Sequence, residues 1–202
     1  MPTKSTREIR MAAVSVVQDT ANDERVVEGR AIVFGVPTVL YEFDGIQYKE
    51  VVERGALDGA DLSDVPFKYN HSDHVMIMAR TRNNTLELTV DDQGLLIRAK
   101  LADTSAGRDM YELVKRSDIT EMSFAFTVTE SSYNKETRTR SITKIKRIWD
   151  VAAVDTPAYQ DTYIKARSFF EAEAEKEQRA AEAANRARIL TKIKLMTMEE
   201  RT

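Results

Sequence analysis

The sequence predicts a mainly β (α+β) fold: an antiparallel, barrel-like sheet with a few helices, followed by a long C-terminal helical tail. Three observations carry this. About nine short stretches rich in β-branched and aromatic residues recur between turn signals, the spacing of barrels and sandwiches. One segment, 104–117, instead spaces Met110, Leu113 and Val114 as a helix does. From Lys165 to Thr202 the chain contains neither glycine nor proline and is rich in alanine, glutamate and arginine.

Taken in order, residues 10–17 and 25–34 read as two strands of a hairpin around the polar turn Asp19–Glu24, the second closed by Gly35 and Pro37. Residues 38–54 alternate apolar and charged side chains around Asp44-Gly45, a strong hairpin dipeptide. Short strands are expected at Asp64–Tyr69, Val75–Arg80, Thr85–Val90 and Gly94–Leu101, the last two joined by Asp91-Asp92-Gln93-Gly94. After the helix, Ile119–Val128 alternates strictly, Glu130–Arg140 is a polar loop or hairpin tip, and Ile142–Val154 is a strand ended by Thr156-Pro157. Ser168 and Glu171 have the spacing of a capping box at the start of the tail. In the tail Glu175 with Arg179 and Glu182 with Arg186 form i,i+4 pairs, and Ile189, Leu190, Ile193 and Met196 make an apolar tip.

Composition narrows function. The chain has 202 residues and a formal net charge of −3, so it lacks the global basic field that draws proteins to nucleic acid. No apolar run reaches the roughly 20 residues of a membrane span. Lys4, Arg7 and Arg10 before Met11–Val17 resemble a signal peptide only faintly, because the run is short and followed by Gln18 and Asp19; a first strand is the reading adopted. The absence of cysteine removes disulfides, thiolate metal sites and a cysteine nucleophile.

The alternation in Glu121–Val128 sends Met122, Phe124, Phe126 and Val128 to a core face and leaves Ser123 on the other beside small Ala125, open to an extended peptide. Ser123 is therefore a candidate nucleophile. A serine hydroxyl needs a neighbouring base, and the two histidines, His71 and His74, lie in one loop, Tyr69-Asn70-His71-Ser72-Asp73-His74. A carboxylate should orient the imidazole. Asp150 is the first choice, because Ile148, Asp150, Ala152 and Val154 share a face on which an unpartnered charge would be costly. Asp155, at the strand end, is the second. A competing arrangement has His71, Asp73 and His74 ligating a metal such as zinc.

In chain order, Val27-Glu28-Gly29-Arg30-Ala31-Ile32-Val33-Phe34, Glu53-Arg54-Gly55-Ala56-Leu57, Asn70-His71-Ser72-Asp73, Asp92-Gln93-Gly94-Leu95, Met122-Ser123-Phe124-Ala125-Phe126 and the run Trp149–Tyr159 resemble segments of the prohead maturation proteases of tailed bacteriophages. Those are serine proteases with a herpesvirus-assemblin-like fold. The resemblance, which spans roughly residues 8–167, implies a serine endopeptidase of the Ser-His-Asp type with Ser123, His71 and Asp150 as its catalytic residues; the break in composition near Ala166 divides the chain into that protease domain, 1–166, and a helical tail, 167–202. Ala125 stands where the family usually has glycine, and Asp150 where glutamate is common. No cofactor and no metal are implied. The implied substrates are major capsid and scaffold proteins and the protease itself, cut inside the assembling prohead in the host cytoplasm; charge and hydropathy favour neither nucleic acid nor membrane as partner, and a homo-oligomer is left open. The alternative is a catalytically idle assembly or scaffold module of the same fold.

Overall fold

The computed structural model of the protein describes residues 7–13, 15–19, 24–155 and 159–199. They form two compact units, one up to Tyr163 and one from Ile164. In chain order the first unit holds β1 (Arg7–Ala13), β2 (Ser15–Asp19), β3 (Glu24–Val33), β4 (Thr38–Phe43), β5 (Ile46–Val52), β6 (Pro66–Tyr69), β7 (Ala79–Arg80), β8 (Leu86–Asp91), β9 (Gly94–Lys100), α1 (Ser105–Lys115), β10 (Glu121–Asn134) and β11 (Thr139–Val154). A helix of 41 residues, α2 (Tyr159–Glu199), starts there and makes up the described part of the second unit.

The strands make two open sheets, which corrects the expectation of a barrel. One runs β1-β10-β11-β5-β4 with β6 and β7 branching from β11, and the other runs β2-β3-β9-β8. Closure is prevented by β11: its first half pairs with β5 and its second half with β6, so its outer edge is shared and the sheet forks. Among the described residues no pairing joins edge strand β4 to edge strand β1. Both pairings of that outer edge are parallel, so the sheet is mixed rather than wholly antiparallel.

The apolar run at 10–17 is not one strand. Its first part, β1, pairs with β10, and its second, β2, pairs with β3, so the chain changes sheets where period-two reading sees continuity. Of Val75–Arg80 only Ala79–Arg80 is a strand, and Met76 is 77% exposed. The hairpins at Asp44-Gly45 and at 91–94 form as expected, and the 104–117 segment is α1, N-capped by Thr104. Ser168 lies well inside α2, which begins at Tyr159, so it does not cap that helix. Glu175 pairs with Arg179 as anticipated, at 3.2 Å. The centre of the 19–24 turn, the strand end at 156–157, and the side chains of Ile193 and Met196 lie outside the described residues.

Between the sheets lies a core that includes Val27, Leu95, Ile97, Phe67, Met122, Phe126, Ile142, Ile145, Ile148 and Val151, all buried. Each such side chain contributes about 1.5–3 kcal/mol by leaving water. Where β9 starts, the backbone of Gly94 (φ +148°) comes so close to β3 that a Cβ there would sit 1.8 Å from the Ile32 carbonyl oxygen. Gly94→Ala should therefore destabilise the fold by about 3 kcal/mol, the upper end for overpacking, because the obstacle is backbone and cannot rotate away. Urea unfolding checks this; an unchanged midpoint would contradict it.

Candidate active site

Strand β10 lies between β1 and β11, with Ser123 opposite Met11 on one side and Ala152 on the other, and Ala125 opposite Ile9 and Asp150. The β10–β11 register shifts between Ala125/Asp150 and Phe126/Ile148, leaving Trp149 as an extra residue in β11. This bulge corrects the face assigned to Asp150. Ile148, Val151 and Ala153 belong to the core, whereas Asp150 and Ala152 stand with Ala125 and Ser123 on the opposite face. Regular alternation would have put Asp150 beside Ile148, and one inserted residue moves it to the nucleophile's side.

The parallel pairing of β6 with β11 brings the histidine loop to the same place, since Lys68 lies opposite Ala152 and Tyr69 opposite Ala153. The Asn70 N–H then donates to the Ala153 carbonyl (2.9 Å), and the chain turns over Asn70 and His71, both at positive φ (48° and 55°), with the Ser72 N–H returning to the Tyr69 carbonyl (2.8 Å). The turn delivers His71 across the sheet face. Its Nε2 is 2.9 Å from Ser123 Oγ and its Nδ1 is 2.5 Å from Asp150 Oδ1. An ionised carboxylate only accepts, so Nδ1 carries the proton and Nε2 is left to accept from the serine hydroxyl.

Asp150 is 1% exposed, and its second oxygen, Oδ2, accepts from Arg7 Nη2. Lys68 Nζ lies 3.9 Å from the same oxygen. The buried carboxylate is thus charge-balanced, as burial requires. No sequence signal ties Arg7 or Lys68 to this site: Arg7 is 143 positions from Asp150. Trp149 donates through Nε1 to Thr127 Oγ1 (2.9 Å) on the Ser123 face, and Arg147 stacks 4.5 Å from the indole centroid.

Two other candidate groupings do not converge. Among the described residues no set of three or more His, Asp or Glu side chains is arranged as metal ligands. Asp73 accepts from Lys68, which holds its carboxyl below the ordinary range, while the His74 N–H donates to Ser72 Oγ at 3.1 Å. Asp155 engages Asn70 and Tyr69. The expectation of an open serine face also changes: Ser123 is 0% exposed, and both faces of β10 are buried from Met122 to Thr127.

A serine, a histidine and a carboxylate in a hydrogen-bonded chain occur on unrelated folds, so geometry alone does not name a family. A family model for the caudovirus prohead serine proteases matches residues 12–178, most of the chain. The chain belongs to that family. No curated protein and no solved structure gives a match. The matched span runs from β1 through the whole histidine loop and the β10–β11 hairpin into α2. A prohead serine protease is a serine peptidase of phage capsid maturation, at work within the assembling prohead. Among the described residues no helix is long and apolar enough to cross a membrane.

Proposed function

We propose that the protein is an endopeptidase that uses Ser123, His71 and Asp150 to cut capsid and scaffold precursors, and its own chain, inside the prohead. The observation supporting this is the hydrogen-bond chain from Ser123 on β10 through His71 in the loop after β6 to Asp150 on β11, side chains that meet on one face of the sheet. His71 Nε2 takes the hydroxyl proton as Ser123 Oγ attacks the scissile carbonyl, forming a tetrahedral oxyanion. The same proton passes to the leaving amine as the C–N bond breaks. Water, activated by the freed Nε2, then releases the acyl group from Ser123. Asp150 holds the Nδ1 tautomer throughout and stabilises the imidazolium without taking its proton. Since Ser123 presents no surface in this conformation, a peptide reaches it only after the site opens.

The test is incubation of the full chain with its cognate capsid precursor, with fragment masses read by mass spectrometry. Cleavage should persist under excess chelator, because Asp73 is engaged by Lys68 and the chain has no cysteine. Loss of activity on chelation and its return with zinc would favour metal hydrolysis. A self-derived fragment should accumulate with the wild type and not with Ser123→Ala. Identical intact masses, while the wild type cuts precursor, would remove self-processing from the proposal.

A further inference from the structure

We propose that Asn70 and Asp155 form a clamp that positions His71, making both of them positioning residues for the proton transfer; this rests on the reading of His71 as general base. The turn over Asn70 and His71 is unusual in its residues. Two consecutive non-glycine residues with φ of 48° and 55° form the centre of a four-residue turn, the conformation of type I′. Asparagine tolerates the left-handed region, but the following position favours glycine, and histidine there costs on the order of 1 kcal/mol. A strained residue persists only where its surroundings over-determine it.

Asp155 is what over-determines it. The Asn70 side-chain amide donates from Nδ2 to Asp155 Oδ1 (2.9 Å), and its Oδ1 accepts from the Asp155 backbone N–H (3.2 Å). This reciprocal pair, with the Asn70 N–H on the Ala153 carbonyl, ties the turn to the end of β11 at three points. The second carboxylate oxygen of Asp155 accepts from the Tyr69 hydroxyl, which raises the Tyr69 pKa and keeps the phenol a donor. Tyr69, Asn70 and Asp155 thus form one network on the residues adjoining His71. The imidazole itself has no freedom to compensate, since both ring nitrogens are already committed to Asp150 and Ser123. A tilt of the turn must therefore lengthen one of those two bonds. Asp155 so acts through the backbone of His71 and never touches the reacting atoms.

The experiment measures the phosphonylation rate of Ser123 by a fluorophosphonate probe, together with kcat and KM for precursor cleavage, on the full chain. Asp155→Ala should lower the labelling rate and kcat by about 10- to 100-fold, the usual effect of an ångström-scale misplacement, with KM unchanged. Asp155→Asn retains an acceptor for Asn70 and the backbone donor, so it should keep most of the rate; a loss as deep as with alanine would overturn the clamp in favour of a direct role for the charge. Asn70→Gly keeps the left-handed turn accessible and removes only the clamp. It should lower the rate at least as far as Asp155→Ala, which keeps the backbone donor of residue 155, and the double variant should be no worse than Asn70→Gly. In a His71→Ala background neither substitution should reduce the residual labelling further, whereas a general loss of structure would. Wild-type labelling rates in Asp155→Ala and Asn70→Gly, or losses that persist without His71, would overturn the proposal. Should Asp155→Ala fail to fold by circular dichroism, Asn70→Gly carries the same comparison. A wild type that neither labels nor cleaves overturns the protease reading itself, and the clamp with it, whereas a clamp failure alone leaves the wild type active.

Discussion

Ser123→Ala is expected to abolish precursor cleavage while the chain remains folded, since it removes one oxygen from a buried site and leaves the β10 ladder intact. In another serine protease, losing the serine or the histidine alone lowers turnover by roughly 10⁶, so His71→Ala should be comparably severe. Asp150→Asn is the more informative change. The amide is nearly isosteric, but His71 Nδ1 would face a group that can donate, so the imidazole can take the tautomer with its proton on Nε2. That nitrogen then cannot accept from Ser123. A loss of roughly 10⁴ is the expected size, with measurable activity left. Arg7 would meanwhile lose the carboxylate it pairs with, so part of any fall in stability belongs to that contact. Rates come from quantitative mass spectrometry of precursor fragments, with thermal melts to check folding. Cleavage at the wild-type rate by folded Ser123→Ala would sink the nucleophile assignment, and an unaffected Asp150→Asn would sink the role of the carboxylate.

Removing one member of the buried ion cluster on the opposite face of β1 should destabilise the protein by about 3–5 kcal/mol, which compares with a total stability of about 5–15 kcal/mol for a typical domain. Arg10 grips Glu50 with two bonds (2.5 and 2.6 Å), and Arg140 grips Glu8 with two (2.7 and 3.0 Å). Arg10 also reaches Glu8 (2.9 Å) and Arg140 reaches Glu50 (3.1 Å), so each charge meets both opposite charges. Arg10, Glu50 and Arg140 are 7%, 4% and 6% exposed, which makes an orphaned charge costly. Glu50→Ala would remove one of the two carboxylates that these buried guanidinium groups share. Replacing all four residues with apolar side chains of similar volume should do far less harm, because the desolvation that the pairs offset would vanish with them. The cluster also has an acid signature. Burial alone would raise the Glu8 carboxyl, yet Arg140 and Arg10 outweigh it and hold its pKa below the ordinary value. Its contribution is therefore full above the ordinary carboxylate pKa, about 4.3, and is lost as pH falls through the lower folded-state value. Denaturant midpoints between neutral and acid pH should show a shallower acid decline in Glu8→Gln than in the wild type; equal declines would contradict the assignment.

Local signals were enough wherever a residue's state depends on its sequence neighbours. The alternation around Ser123, the Asp44-Gly45 turn, and the helical spacing of Met110 and Val114 each reappear as β10, the β4–β5 hairpin and α1. The candidates Ser123, His71 and Asp150 are legible because alternation puts one serine beside a small residue, both histidines lie in one loop, and Asp150 stands among apolar strand neighbours. What sequence alone determined is thus the inventory: mostly strands, two helical segments, and a short list of groups able to do the chemistry. Tertiary structure alone decided their arrangement, because it depends on which strands pair. The bulge at Trp149 chose the face of Asp150, and the forking of β11 between β5 and β6 opened the sheet and set the histidine loop over Ser123. Arg7 reaches Asp150 across 143 positions, and the residues on either side of 14 belong to different sheets. Hydrophobic periodicity reports which side of a strand is apolar, but carries no record of the neighbouring strand or of one inserted residue, and both are settled only when distant segments meet.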